Sequence, residues 1–172
     1  MEYPAGMAKV TRPKLFRTLP RERLFQRLDD MRMRKAIWIT APPGAGKTTL
    51  ASSYLESRRL PALRYQMDSG DSDPASFFYY LAVAFDAIAI AGAGASQLPL
   101  LTPEYLPDLS GFTRRFFRQL YGCLKPGSVL VFDNYHAVPP ASILHAIMRD
   151  ALEEVPDGIC VIVASRTEPP RH

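Results

Sequence analysis

The sequence predicts an α/β fold, a mostly parallel sheet held between helices in a three-layer α/β/α sandwich. Short apolar runs alternate with longer segments of helical periodicity, as buried parallel strands and their crossover helices do. The first apolar run also ends in a Gly/Pro-rich turn that leads directly into a helix-friendly stretch. With 172 residues, 47% of them hydrophobic and 22% charged, the chain can bury one ordinary core.

Residues 1–19 are polar and interrupted by proline, so they read as an arm leading to a domain that spans 20–172. A short helix opening at Pro20 is expected to bury Leu24, Phe25 and Leu28. Ala36–Thr40 is the first strand, and the helix after it runs from Lys47 to about Ser57. Pro61 stops that helix, and Ala62–Met67 forms a second strand followed by an Asp/Ser/Gly loop. Asp73 then caps a helix with Pro74 in its first turn, and Phe77, Phe78, Leu81, Phe85 and Ile88 recur at helical spacing as a core stripe. Residues 92–111 carry Gly, Ser and Pro throughout and predict a long surface loop. Phe112, Phe116, Phe117, Leu120 and Leu124 mark the next helix, Ser128–Phe132 a strand, Ala141–Val155 a helix, and Ile159–Ala164 a last strand.

Composition excludes several function classes. The net charge of +4 comes from scattered residues such as Arg21, Arg23, Arg27, Arg32, Arg34, Lys35, Arg114 and Arg115, so nucleic-acid binding by this segment is not indicated. Cys123 and Cys160 have no metal-ligand spacing and suit a reduced, cytoplasmic protein. No apolar stretch is long enough for a membrane helix.

The chemistry concentrates in Ala41-Pro42-Pro43-Gly44-Ala45-Gly46-Lys47-Thr48-Thr49, which follows the phosphate-loop pattern with alanine in place of the first glycine. Glycines at 44 and 46 let the backbone turn successive N–H groups towards one point, where a helix N-terminus adds partial positive charge. Pro43 to Thr49 are therefore the candidate nucleotide-binding residues. Lys47 is expected to reach the β- and γ-phosphates of ATP or ADP, and Thr48 to ligate Mg²⁺. The competing view, a Gly/Pro turn carrying a chance lysine, fits the strand-before, helix-after context less well.

Such a site also needs a carboxylate at a neighbouring strand end to hold the Mg²⁺ water shell, and Val129-Leu-Val-Phe-Asp133 supplies Asp133. Asn134 stands where a second acid would activate water. An amide orients water without accepting its proton, so slow hydrolysis is expected. Residue chemistry alone leaves Arg166 open between a γ-phosphate sensor and a solvated arginine at a strand end, while Tyr135 and His136 read as loop residues near the site.

These segments together resemble one family: the STAND-class signalling ATPases, and among them the MalT-like, LuxR-type large ATP-binding regulators. APPGAGKTTL resembles the family's phosphate loop, MDSGDSDPASFFYYLAVAF its Asp-rich loop and helix, VLVFDNYHAV its acidic strand and VIVASRTEPP its terminal strand. The resemblance implies an ATP-driven switch that self-associates when ATP-bound and contacts DNA only through domains this chain lacks. It also implies that the strand ending at Ala164 lies between the phosphate-loop strand and the Asp133 strand, with Arg166 facing the nucleotide. On this view the chain is an N-terminal fragment whose sheet is truncated on its C-terminal side, leaving the phosphate-loop strand as an unpaired edge that favours self-association. A small-molecule kinase, with Arg114 and Arg115 serving a lid, is the alternative.

Overall fold

A computed structural model describes Lys9 and residues 20–89 and 98–169. The rest of the predicted arm, the Gly-rich part of the predicted loop and the last residues lie outside that set, as does the side chain of Ile88. Among the described residues the chain runs α1 (Glu22–Met31), β1 (Ala36–Thr40), α2 (Lys47–Ser57), β2 (Ala62–Gln66), α3 (Pro74–Ala89), α4 (Leu109–Gly122), β3 (Val129–Asp133), α5 (Leu144–Glu153) and β4 (Cys160–Ser165).

The strands form one sheet in the order β1-β4-β3-β2, and every pair is parallel. β4 therefore lies between the strand that leads into the phosphate loop and the strand that ends in Asp133, the order the family resemblance implies. Alternation along the strands sorts the side chains onto two faces. Ile37, Val129, Val131, Cys160 and Ile162 pack with Phe25 and Leu28 of α1 and with Ala51, Tyr54 and Leu55 of α2. Leu63, Tyr65, Leu130, Phe132, Val161 and Val163 face α3, α4 and α5. The result is the three-layer α/β/α sandwich.

The aromatic stripe of α3 is core, as its spacing predicts. Phe78 is buried and meets Phe112 and Phe116 of α4 edge-on at 4.9 and 4.8 Å between centroids. Asp73 accepts the Ser76 amide at 2.9 Å and so caps this helix. The predicted loop 92–111 is shorter than expected. Pro103–Asp108 forms a 3-10 turn, and α4 begins at Leu109 because Asp108 accepts the Gly111 amide at 3.0 Å. The last helix starts at Leu144 rather than Ala141, after a turn in which the Ser142 hydroxyl accepts the Leu144 amide at 3.2 Å.

Two ion networks fix the helices around the site. Asp29 of α1 accepts from Tyr54 (2.8 Å) and from Arg58 Nε (2.9 Å), while Arg58 also reaches Glu22 at 2.7 Å, so α1 is tied to the end of α2. On the opposite face Arg118 and Arg114 converge on Glu154 at the end of α5, with Arg118 NH2 2.9 Å and Arg114 NH1 3.1 Å from Glu154 Oε1.

The Arg118 hydrogen bonds, then those of Arg114, hold the Glu154 carboxyl below its ordinary value of 4.5 despite partial burial. A depressed carboxylate contributes stability that is complete above the unfolded value and is lost as pH falls through the folded one. Glu154→Gln is therefore expected to cost about 1 kcal/mol at pH 7. That difference should shrink towards zero below about pH 4, measured as paired urea melts across pH.

Candidate functional site

A parallel sheet places the carboxyl ends of all its strands on one edge, and a crevice opens where loops leave neighbouring strands in different directions. Here the loops after β1, β3 and β4 share that edge. The Ala41 amide reaches the carbonyl of Ser165 at 3.4 Å, so the phosphate loop starts against the end of β4.

The loop itself has the conformation its glycines allow. Gly44 and Gly46 sit at φ +75° and +79°, and a Cβ on Gly44 would meet nothing within 4 Å. Gly46 is the N-cap of α2, whose first residues are Lys47, Thr48 and Thr49. Their amides are the unpaired donors at a helix start. Pro43 and Gly44 are exposed on the rim, whereas Ala45 to Thr49 are half-buried. The Lys47 ammonium lies inside the turn, donating to the carbonyls of Ala41 at 2.5 Å and Pro42 at 3.0 Å. An ammonium has three donors, so one remains for an anion.

Asp133 and Asn134 end β3. The Asp133 carboxylate accepts the Asn134 amide at 2.8 Å, and the Asp133 carbonyl accepts the Met67 amide at 2.9 Å. Asn134 adopts φ +62°, a conformation that asparagine tolerates better than most residues. Its carboxamide donates to the Met67 carbonyl at 3.1 Å, on the β2 side of β3. One amide hydrogen is thus used in holding β2, and the second and the carboxamide oxygen remain for a water. Arg166 is exposed on the bend after β4, between the buried Ser165 and the exposed Thr167.

His136, expected only as a loop residue near the site, carries a further signal. Its Nδ1 is buried and has no hydrogen-bond partner. Burial first, then the charges of Arg166 and Lys47, hold the imidazole below its usual pKa, against the pull of Asp133. Sequence reading places His136 in the loop near the site, but no spacing announces that its Nδ1 is buried without a partner. Arg21 was also missed. From the start of α1 its guanidinium donates to the Ala45 carbonyl at 3.3 Å and lies 3.4 Å from where a Cβ on Gly46 would be. In the sequence it is one of many scattered arginines.

The chain matches the AAA domain family over residues 30–168. It belongs to that family. The AAA domain explains the phosphate loop, the acidic strand and the parallel sheet as parts of one nucleotide-binding design. Among relatives, this AAA domain is similar to the HTH-type transcriptional regulator MalT of Cronobacter sakazakii, 32% identical over 163 residues that cover 94% of this chain and 18% of the relative. It is 30% identical to MalT of Klebsiella pneumoniae over the same shares, and 30% identical to MalT of Vibrio cholerae over 95% of this chain and 18% of the relative. The chain thus spans about a fifth of the length of these regulators. No helix among the described residues is long and apolar enough to cross a membrane.

A buried nitrogen with no partner costs about 1–3 kcal/mol of desolvation. His136→Phe, which keeps a planar ring and removes that nitrogen, is expected to leave the unfolding free energy unchanged or to raise it by about 1 kcal/mol. Guanidinium melts of both proteins check this, and a clear loss of stability would mean the ring is held by an interaction of its own.

Proposed function

We propose that this domain is an ATP-dependent switch that hydrolyses its nucleotide slowly and acts within a transcriptional regulator of the MalT kind. One observation carries the reading: Gly44 and Gly46 at positive φ fold the loop around the Lys47 ammonium at the start of α2, on the same strand-end edge of the sheet that carries Asp133 and Arg166. A cation, an acid and a second cation brought together with spare polar capacity suit a polyphosphate and its metal better than they suit a structural turn.

In this proposal the amides of Gly44 to Thr49 and the remaining Lys47 donor bind the β- and γ-phosphates, with Pro43 and Ala45 shaping the loop. Arg166 faces the γ-phosphate and so distinguishes ATP from ADP. Thr48 and Asp133 would hold Mg²⁺, whose chemistry is to neutralise charge on the phosphates. Among the described residues no three His, Cys, Asp or Glu side chains form a metal cage. A cation here therefore takes its remaining ligands from phosphate and water, which suits Mg²⁺.

Asn134 sets the rate. A carboxamide does not accept a proton at neutral pH, and this one is already donating to Met67. Slow turnover lengthens the life of the ATP state. Self-association in that state, DNA contact through regions outside this domain and a cytoplasmic setting complete the proposal, and their support is the likeness to the regulators. The kinase alternative loses ground on a specific observation. Arg114 is committed to Asp150, Glu153 and Glu154, and the Arg115 guanidinium stacks over Tyr105 at 4.7 Å, so neither is poised for a lid.

Calorimetry with Mg·ATP and Mg·ADP tests the binding claim. The wild type is expected to saturate with both and Lys47→Ala with neither, while its circular dichroism stays unchanged; equal affinity in the variant would refute the assignment. For turnover, phosphate release from Asn134→Asp should exceed that of the wild type at least tenfold, since about 10²–10⁴-fold is typical of a positioned general base. Equal, fast release by both proteins would overturn the slow-hydrolysis claim.

A further inference from the structure

Trp38, the protein's one tryptophan, sits in the middle of β1, just before the phosphate loop. Its side chain lies on the face of the sheet opposite α2, packed against the core of α3, α4 and α5. From there it touches both of the other segments that build the site. The indole N–H donates to the Thr167 carbonyl at 3.0 Å. The ring meets Tyr135 edge-on, with centroids 5.0 Å apart and planes at 77°.

Each of these partners is itself fastened. The Thr167 amide donates to the Ser165 hydroxyl at 3.1 Å, and Ser165 is fully buried, so the bend that presents Arg166 is clamped on both sides of that residue. Tyr135, buried and directly after Asn134, bonds through its hydroxyl to His145 Nδ1 at 2.7 Å. His145 Nε2 in turn lies 3.0 Å from the Pro139 carbonyl, which ties α5 to the turn after β3. An indole N–H is a donor only, so its direction is fixed by a single acceptor. One side chain rooted in the phosphate-loop strand therefore sets where the Arg166 bend and the Asp133 turn stand relative to that loop.

We propose that Trp38 is a positioning residue for γ-phosphate discrimination: it acts through Thr167 on Arg166 and through Tyr135 on the Asp133 turn. The inference rests on the nucleotide reading above and goes beyond it by assigning specificity to a residue that touches no phosphate. ATP and ADP differ only at the end that Arg166 addresses. Loosening the bend therefore weakens ATP and spares ADP, whose phosphates are held by the loop and Lys47.

Trp38→Phe keeps a ring edge for Tyr135 and removes the donor to Thr167. Calorimetry with Mg·ATP and Mg·ADP on wild type, Trp38→Phe, Arg166→Ala and the double variant reads the effect. Trp38→Phe is expected to lower ATP affinity about tenfold, equivalent to about 1.4 kcal/mol and on the scale of a lost hydrogen bond, and to leave ADP affinity within about twofold. The double variant should show the same ATP-to-ADP ratio as Arg166→Ala alone, because both changes remove one interaction. A lower melting temperature with an unchanged ratio would reduce Trp38 to packing and overturn the inference while the nucleotide reading stood. Wild-type protein that saturates with neither nucleotide would overturn both. If Trp38→Phe fails to fold, benzothienylalanine at position 38, which keeps the bicyclic ring and lacks only the N–H, is measured against the same expectations.

Discussion

The insertion of β4 between β1 and β3 is the constraint on which the site depends. Parallel strands cannot be joined by tight turns, so each returns through a helix to the opposite end of the sheet and all their carboxyl ends emerge together. The register that sets Ile39 beside Ala164, and Val131 beside Ile162, holds that edge level. Lys47, Asp133 and Arg166 are far apart in the chain and share one edge of the sheet because three strand ends lie side by side. The apolar runs that bury β3 and β4 on both faces are thus as much a part of the site as the charged residues beyond them.

Electrostatics then divides the charged groups into those already paired and those left over. The Asp29–Arg58–Glu22 link and the Glu154–Arg118–Arg114 link satisfy their members completely enough to act as fasteners. Around His136 the balance is different. A buried nitrogen there has no partner, and among the described residues the Lys47 ammonium bonds to its own loop's carbonyls. Unsatisfied polar capacity beside a phosphate-loop fold marks where a ligand is expected.

Local patterns revealed the framework. The apolar run at 36–40 followed by Gly44, Gly46 and Lys47 identifies strand, turn and helix because each rests on chain-local physics, and the spacing of Phe77, Phe78, Leu81 and Phe85 identifies α3 for the same reason. Boundaries were less legible. Leu109-Ser110-Gly111 reads as loop, yet a carboxylate at 108 starts the helix there, and Pro139-Pro140 pushes the start of α5 later than its apolar pattern implies. The site was legible in its phosphate loop and acidic strand. The Arg21 contact with Ala45, the buried Nδ1 of His136 and the Asn134 bond to Met67 were not, since they depend on how distant segments pack and no spacing rule announces them.

Among the described residues, the chain ahead of the domain meets its body at Lys9. Lys9 spans the outer edge of β2: its carbonyl accepts the Gln66 amide at 2.9 Å, and its ammonium reaches Asp71 at 2.6 Å while lying over the rings of Tyr65 and Tyr80. Asp71 is wholly shut off from solvent, and its other companions are the Tyr65 hydroxyl at 2.6 Å and the Asp68 amide at 2.8 Å. Shortening this protein at its front, the customary way to tidy a domain for crystals or screening, would leave a negative charge walled in without its counterion. Lys9 lies in a stretch that reads as a dispensable arm, but its ammonium is a piece of the interior.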